Sequence, residues 1–124
     1  MMMKAEFRPI DETQEYYFEE GCWILELSNT ENDEDVSIAR ARVEPGRATE
    51  LHRLDGVAER YVVLAGAGRA EIGDLPLQDM QPGDVVLIPP GCRQRIENTG
   101  SVDLVFLAIC TPRFRKEAYQ QVEV

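Results

Sequence analysis

Hydrophobic positions along this chain come in short runs of four to nine residues, each ended by glycine, proline or a polar turn. Residues 36–43 alternate between two faces, and residues 85–88 are continuously apolar. Runs of this kind, rich in β-branched and aromatic residues, are typical of strands, and helical periodicity is absent between residues 36 and 110. We predict strands at residues 22–27, 36–43, 60–64, 69–73, 85–88, 94–97 and 102–110.

Many short strands at regular spacing predict an all-β sandwich or barrel. The pattern changes after Pro112, and residues 113–121 are predicted to form a short C-terminal helix. Two aromatic residues of this tail, Phe114 and Tyr119, are expected to pack across one end of the barrel or to contact a partner subunit. The alternative is that the tail is solvated.

The charge of the chain is concentrated in its first third. The sequence has 124 residues, with 13 basic and 23 acidic side chains and a net charge of −10, which suits one domain. Residues 1–35 hold 11 of the acids and two bases, so the rest of the chain is nearly neutral. We predict an acidic arm at residues 1–20 and a barrel domain at residues 21–124. An acidic surface disfavours nucleic acid and anionic membranes as partners.

Arginine makes up all but one of the bases after residue 35. Its planar fork suits carboxylate or phosphate, so these residues could bind an oxyanion. Ordinary ion pairing on the surface is the interpretation we favour.

Cysteine and histidine narrow the chemistry further. Cys22, Cys92 and Cys110 are far apart, odd in number and without a C-x-x-C motif, which predicts free thiols and a cytoplasmic location. No apolar stretch is long enough to span a bilayer, and no signal peptide precedes the first predicted strand. His52 is the single histidine, so any site that needs two histidine ligands is excluded.

Two spaced motifs resemble those of the cupin superfamily. The first runs from Gly46 through His52, Leu54 and Glu59 to Gly66, with the spacing of the family motif G-x5-H-x-H-x3–4-E-x6-G. The second has the spacing G-x5-P-x-G-x2-H-x3-N and comprises Gly83, Pro89, Gly91, Gln94 and Asn98. The resemblance implies a single small cupin β-barrel, a jelly roll also called a double-stranded β-helix, with a ligand cavity inside the barrel mouth.

The resemblance also implies a divalent metal (Fe, Mn, Ni, Cu or Zn), which cupins bind through three histidines and a glutamate. Carried over by position, the metal ligands here are His52, Glu59 and Gln94, while Leu54 occupies a histidine position and cannot coordinate. Because imidazole suits these metals, the loss of two histidines predicts a weakly held metal or none.

Strand parity predicts which side chains face the cavity, because residues two apart share a face of a strand. His52 and Leu54 would point inward together, as would Glu59, Tyr61 and Val63. A buried Glu59 would need a partner, because an unpaired buried carboxylate is costly. The predicted pocket residues are Glu50, Leu54, Tyr61, Val63, Cys92 and Ile96. For Glu50 we favour a solvated position, and for Cys92 the role of a small apolar filler.

Three functions stay open at this point. The favoured one is a small cytoplasmic barrel, expected to be a homodimer, that binds a sugar-like or acid-like ligand, with or without a weakly held metal. The second is a metal-dependent dioxygenase, isomerase, epimerase or lyase, with His52, Glu59 and Tyr61 as candidate catalytic residues. The third is a dimeric structural module without a ligand.

Overall fold

Two antiparallel sheets form the protein, and the computed structural model describes residues 2–123. Within that range the chain has eleven strands and two short 3-10 turns, at Glu12–Gln14 and Lys116–Ala118. The all-β prediction is therefore confirmed. The strands are β1 (Tyr16–Phe18), β2 (Cys22–Ser28), β3 (Ser37–Val43), β4 (His52–Leu54), β5 (Ala58–Ala65), β6 (Gly68–Ile72), β7 (Gln78–Met80), β8 (Val85–Ile88), β9 (Gln94–Asn98), β10 (Leu104–Thr111) and β11 (Tyr119–Gln121).

The strand order brings distant parts of the chain together. The first sheet has the order β1-β2-β3-β10-β5-β8, and the second has the order β11-β4-β9-β6-β7. Strand β5 therefore lies between β10 and β8, while β4 pairs with β9 through His52 and Gln94. This pairing sets the two motifs predicted from the sequence side by side in the second sheet.

The core lies between the sheets and is built from alternating strand positions. In β5, the alternate residues Glu59, Tyr61 and Val63 are buried. Leu64, which follows Val63, is exposed. Val43, Ile96 and Leu104 are completely buried at one end of the same layer. Alternation of this kind is what a sheet with one covered face requires.

The predicted C-terminal helix is wrong. Residues 116–118 form one 3-10 turn, and β11 follows it as an edge strand paired with β4, with Tyr119 opposite Leu54. A helix of nine residues is marginal in water. The extended course instead packs Phe114 and Tyr119 against the buried Leu54 cluster, so burial of aromatic surface outweighs local helix propensity.

The acidic N-terminal segment contacts the first sheet. Strand β1 pairs with β2, and Glu12 and Glu15 reach across β3 to two of its arginines. Arg40 contacts Glu12 through both terminal nitrogens at 2.8 and 2.7 Å, and Arg42 lies 2.7 Å from Glu15. These arginines therefore pair with carboxylates of the chain itself. The domain boundary after residue 20 stays a prediction. Across residues 2–123, no helix has the length and apolar character needed to cross a membrane.

Candidate functional site

One cavity between the sheets collects three of the polar side chains predicted for the site, His52, Glu59 and Tyr61. Its walls come from β1, β2, β3, β4, β5, β10 and the C-terminal segment. Much of the lining is apolar, including Ile24, Ala41, Leu54, Phe106 and Ala108. The volume of the cavity that the centres of water molecules could occupy is about 50 Å³. Since one bound water needs roughly 10–15 Å³ of such space, the cavity has room for about four water-sized groups.

His52 faces this cavity with both ring nitrogens engaged. Nδ1 lies 2.7 Å from the backbone oxygen of Glu50, which only accepts, so Nδ1 carries a proton and donates it. Nε2 lies 3.0 Å from Oε2 of Glu20. Because Nδ1 already holds one proton, a hydrogen bond at Nε2 requires a second proton on either Nε2 or the carboxyl group. The pair is therefore either imidazolium with carboxylate or imidazole with carboxylic acid. The ring also stacks on Tyr119, with centroids 5.1 Å apart.

Glu20 is the partner of His52, and the sequence did not reveal it. It lies in the turn between β1 and β2, where Gly21 has a positive φ of 97°. The backbone oxygen of Glu20 accepts from the amide of Glu50 at 2.6 Å, which fixes this turn beside β4. Its Oε1 lies 3.1 Å from Sγ of Cys22, and burial together with the nearby Glu20 charge raises the pKa of that thiol. The turn therefore delivers a carboxylate from outside both motifs.

Glu59 is the least satisfied polar side chain in the cavity. It is only 8% exposed, and its Oε1 has no hydrogen-bond partner among the residues described. Its Oε2 has a weak contact, 3.7 Å from Sγ of Cys110. Burial first, and the charge of Glu20 second, raise the pKa of Glu59 to about 8, against a smaller lowering effect of the nearby Cys110 and Gln94 side chains. At neutral pH its carboxyl group is therefore mostly protonated and able to donate a hydrogen bond.

Tyr61 and Gln94 form a second polar pair behind Glu59. The Tyr61 hydroxyl donates to Oε1 of Gln94, and both side chains are buried. Burial also raises the pKa of Tyr61, so its hydroxyl stays protonated over the ordinary pH range. Tyr61 lines the cavity, whereas Gln94 supports it from the neighbouring sheet.

The donor set does not fit a tightly held divalent metal. His52 and Glu59 both line the cavity, but Nε2 of His52 is engaged with Glu20, and the oxygen of Gln94 is engaged with Tyr61. Within residues 2–123, no three His, Cys, Asp or Glu side chains converge as metal ligands would. Leu54 is buried at the position where a second imidazole would be needed. The nitrogen of His52 that would have to bind a metal ion thus already contacts Glu20.

The predicted pocket agrees with the structure at some positions and differs at others. Leu54 and Tyr61 line the cavity, whereas Val63 and Ile96 lie deeper in the core cluster, because parity gives the face of a strand and not the depth along it. Cys92 is half-buried at the edge of that cluster, with Sγ 3.6 Å from the backbone oxygen of Arg93. Glu50 is exposed and offers only its backbone oxygen, since it precedes β4.

Sequence reasoning missed most of the aromatic wall at the mouth of the cavity. Phe114 and Tyr119 do pack across this end, as one of the sequence alternatives held. Tyr16 and Phe18 join them from β1, and Glu26 joins from β2. No motif marks these residues; the one available signal was the density of aromatic residues in the sequence just before β2.

Comparison with known proteins supports the cupin resemblance. A family model described as Cupin domain matches residues 39–110. An uncharacterized protein from Methanocaldococcus jannaschii is 31% identical over 124 residues, covering 98% of this chain and 96% of that protein. An oxalate-binding protein from Thermotoga maritima is 38% identical over 73 residues, covering 57% of this chain and 58% of that protein.

A solved structure shows the same fold over nearly the whole chain. A conserved protein with a double-stranded β-helix domain from Klebsiella pneumoniae superposes with a TM-score of 0.77 at 16% identity. The match covers 96% of this chain and 100% of that one. At this identity the likeness concerns the fold alone, and it agrees with the jelly-roll prediction.

Proposed function

This chain belongs to the cupin family, and we propose that it binds a small polar organic molecule in the cavity between its sheets, without a tightly held metal. The observation that carries this proposal is the unpartnered Oε1 of Glu59 inside a cavity with mostly apolar walls. Buried polar atoms are nearly always hydrogen-bonded, and an exception calls for a missing partner. A bound molecule with a hydrogen-bonding group would supply that partner.

The charge of the cavity selects against an acid-like ligand. Three carboxyl groups, those of Glu20, Glu26 and Glu59, line it, and neither lysine nor arginine does so among the residues described. Two like charges 4 Å apart repel by about 4 kcal/mol near a protein surface. A dianion such as oxalate, which gives the Thermotoga relative its name, would be repelled by each of these carboxyl groups that is ionised and would find no lysine or arginine in the cavity lining to pair with. We therefore propose a neutral or cationic ligand.

A binding screen on untagged protein in the presence of EDTA tests this function. The probes are oxalate as anion, glucose as neutral polyol and choline as cation, with binding followed by thermal shift and calorimetry. We expect a probe other than oxalate to bind, and Ala108→Leu to abolish its binding, because Ala108 lines the cavity and leucine would fill it. The metal content of the protein is measured by elemental mass spectrometry in parallel.

Two results would overturn the proposed function. One is the failure of every probe to shift the melting temperature. The other is binding that appears only with about one metal ion per chain and disappears in EDTA. A control variant, Val102→Leu, adds bulk at an exposed position outside the cavity and should bind like the parent protein.

We further propose that the chain acts as a homodimer in the cytoplasm. Support for a reducing compartment comes from Cys22, Cys92 and Cys110, all of which are free thiols. Support for a dimer comes from the outer face of β5 and β8, where Leu64, Val85 and Leu87 are exposed. Strand β8 ends its sheet, so this apolar face and its strand edge are both open among the residues described.

Leu87→Glu is expected to convert the dimer to a monomer. Leu87 is 70% exposed on this face, and a buried charge there would oppose association. Light scattering coupled to size-exclusion chromatography measures the mass. The matched control is Leu77→Glu, which alters an exposed leucine before the edge strand of the other sheet and should leave the mass unchanged. An unchanged dimer in Leu87→Glu would show that this face is not the interface.

A further inference from the structure

Four aromatic rings surround the mouth of the cavity. Phe18 meets Phe114 and Tyr119 edge to face, with centroids 6.3 and 5.2 Å apart, and Tyr16 meets Phe18 in the same way at 6.4 Å. These rings come from β1, from the segment after β10 and from β11. Edge-to-face packing fixes their orientations relative to one another, so the wall they form is pre-organised.

Carboxyl groups lie behind these rings, and little positive charge opposes them. Glu26 and Glu59 line the cavity, whereas no lysine or arginine of the described residues does. Glu20 also lines it, and its one basic neighbour among the cavity residues is His52, at 3.0 Å. Burial without a counter-ion disfavours the ionised form of a carboxyl group. A cation placed among these groups would supply a counter-charge that no lysine or arginine of the described residues supplies in this cavity.

Aromatic faces together with carboxylates are the chemistry that binds organic cations. An alkylammonium group is attracted to the negative faces of the rings, and its apolar carbons pack against them. A hydrated inorganic ion would instead require several oxygen ligands at short range. The space for about four water-sized groups suits a nitrogen that carries methyl groups.

We propose that the cavity takes a small organic cation, with its alkylammonium group between the aromatic wall of Tyr16, Phe18, Phe114 and Tyr119 and the carboxyl groups of Glu20, Glu26 and Glu59. The unpartnered Oε1 of Glu59 belongs to the most buried of these carboxyl groups. It points to a missing ligand separately from the evidence of the aromatic rings. This inference rests on the proposed function, because it names the class of molecule that occupies the same cavity.

Three probes of nearly the same shape test the charge of the ligand. Choline is the cation, 3,3-dimethylbutan-1-ol is its neutral isostere, and 3,3-dimethylbutanoate is an anion of similar size. Calorimetry on untagged protein at pH 8.5 gives the three affinities. We expect choline to bind at least tenfold more tightly than the alcohol, and the anion to show no binding.

Two variants identify the residues responsible. Glu26→Gln removes a carboxylate at the cavity and Tyr16→Leu removes a ring at its mouth, and each should weaken choline binding about tenfold while leaving the affinity for the alcohol nearly unchanged. The matched control is Glu31→Gln, an exposed glutamate outside the cavity. Far-ultraviolet circular dichroism and the melting temperature establish that each variant is folded.

The outcomes separate this inference from the proposed function. If the alcohol or glucose binds as tightly as choline or more tightly, the inference of a cationic ligand is wrong, but the proposed function of binding a small polar molecule stands. If the anion binds more tightly than choline, both the inference of a cationic ligand and the proposal that the cavity disfavours anions are wrong. Binding of choline that survives both Ala108→Leu and Glu26→Gln would place the cation outside the cavity and overturn the inference. No binding of any probe would overturn the inference and the proposed function together.

Discussion

Glu59→Gln is expected to stabilise the protein at alkaline pH by on the order of 5 kcal/mol relative to the parent. Glu59 is buried, and its pKa rises from the ordinary value of 4.5 to about 8 in the folded state. A pKa difference of one corresponds to about 1.4 kcal/mol of stability, which gives the magnitude. Glutamine keeps the shape of the protonated carboxyl group and cannot ionise.

The direction of the pH dependence follows from proton binding. Below pH 4.5 the carboxyl group is protonated in both folded and unfolded chains, so the stability it contributes is fully present. Between pH 4.5 and about 8 the unfolded chain loses this proton first, so the free energy of unfolding falls as pH rises, and the loss is complete above about 8. The neighbouring Cys110 thiol and Tyr61 hydroxyl have raised pKa values and stay neutral throughout this range.

Urea unfolding at pH 5 and pH 8.5 measures the effect. The parent should lose several kcal/mol between these conditions and Glu59→Gln much less. Burial also raises the pKa of Glu26, so the free energy of unfolding of both proteins should still fall somewhat as the pH rises. Glu97→Gln, at an exposed position of β9, is the control and should follow the parent. Parallel profiles for the parent and Glu59→Gln would contradict the burial of an unpaired carboxyl group at this position.

Gly66→Ala is expected to destabilise the fold by about 3 kcal/mol or more, whereas Gly46→Ala should cost about 1 kcal/mol. Both glycines have positive φ, at 84° and 76°, so both variants carry the same backbone strain. At Gly66 a Cβ would also lie 2.5 Å from the backbone oxygen of Asp103 and 2.9 Å from Cα of Leu104. At Gly46 no atom lies within 4 Å.

The comparison therefore separates strain from steric conflict. Gly66 follows β5 where the chain passes the start of β10, and the β5–β10 register shifts at Val105 and Phe106. Backbone cannot move aside there without disturbing Leu104, which is completely buried. Thermal unfolding of both variants at pH 5 measures the difference. Equal melting temperatures would show that the close approach at Gly66 relaxes at no cost.

The sequence predicted the fold and half of the site because both depend on regular spacing. The positions of the glycines and the alternation along the strands predicted the barrel. Strand parity predicted that His52, Glu59 and Tyr61 face one cavity, and all three line it in the structure. The predicted set was incomplete because contacts between remote segments leave no local pattern. Glu20 reaches His52 from a turn outside both motifs, through a backbone hydrogen bond with Glu50.

The C-terminal segment shows a second limit of local reasoning. Residues 113–121 have an acceptable helical composition, yet Tyr119 gains more from stacking on His52 and from its edge-to-face contact with Phe18 than a short helix gains from its own hydrogen bonds. The depth of Val63 and Ile96 is a third case. Periodicity states which way a side chain points, but the walls of a cavity depend on which neighbours are large.

On the proposed function, the pairing of His52 with Glu20 would give the cavity the opposite electrostatic sign from that of a metal-bearing cupin site. In a cupin that holds a metal, a divalent ion and one glutamate leave a net positive centre that attracts acids. Here the single imidazole can supply one positive charge against as many as three negative ones. A site with one histidine would thus be more than a weakened metal site. The same barrel, with one carboxylate supplied from a turn, would then present the opposite polarity to a ligand.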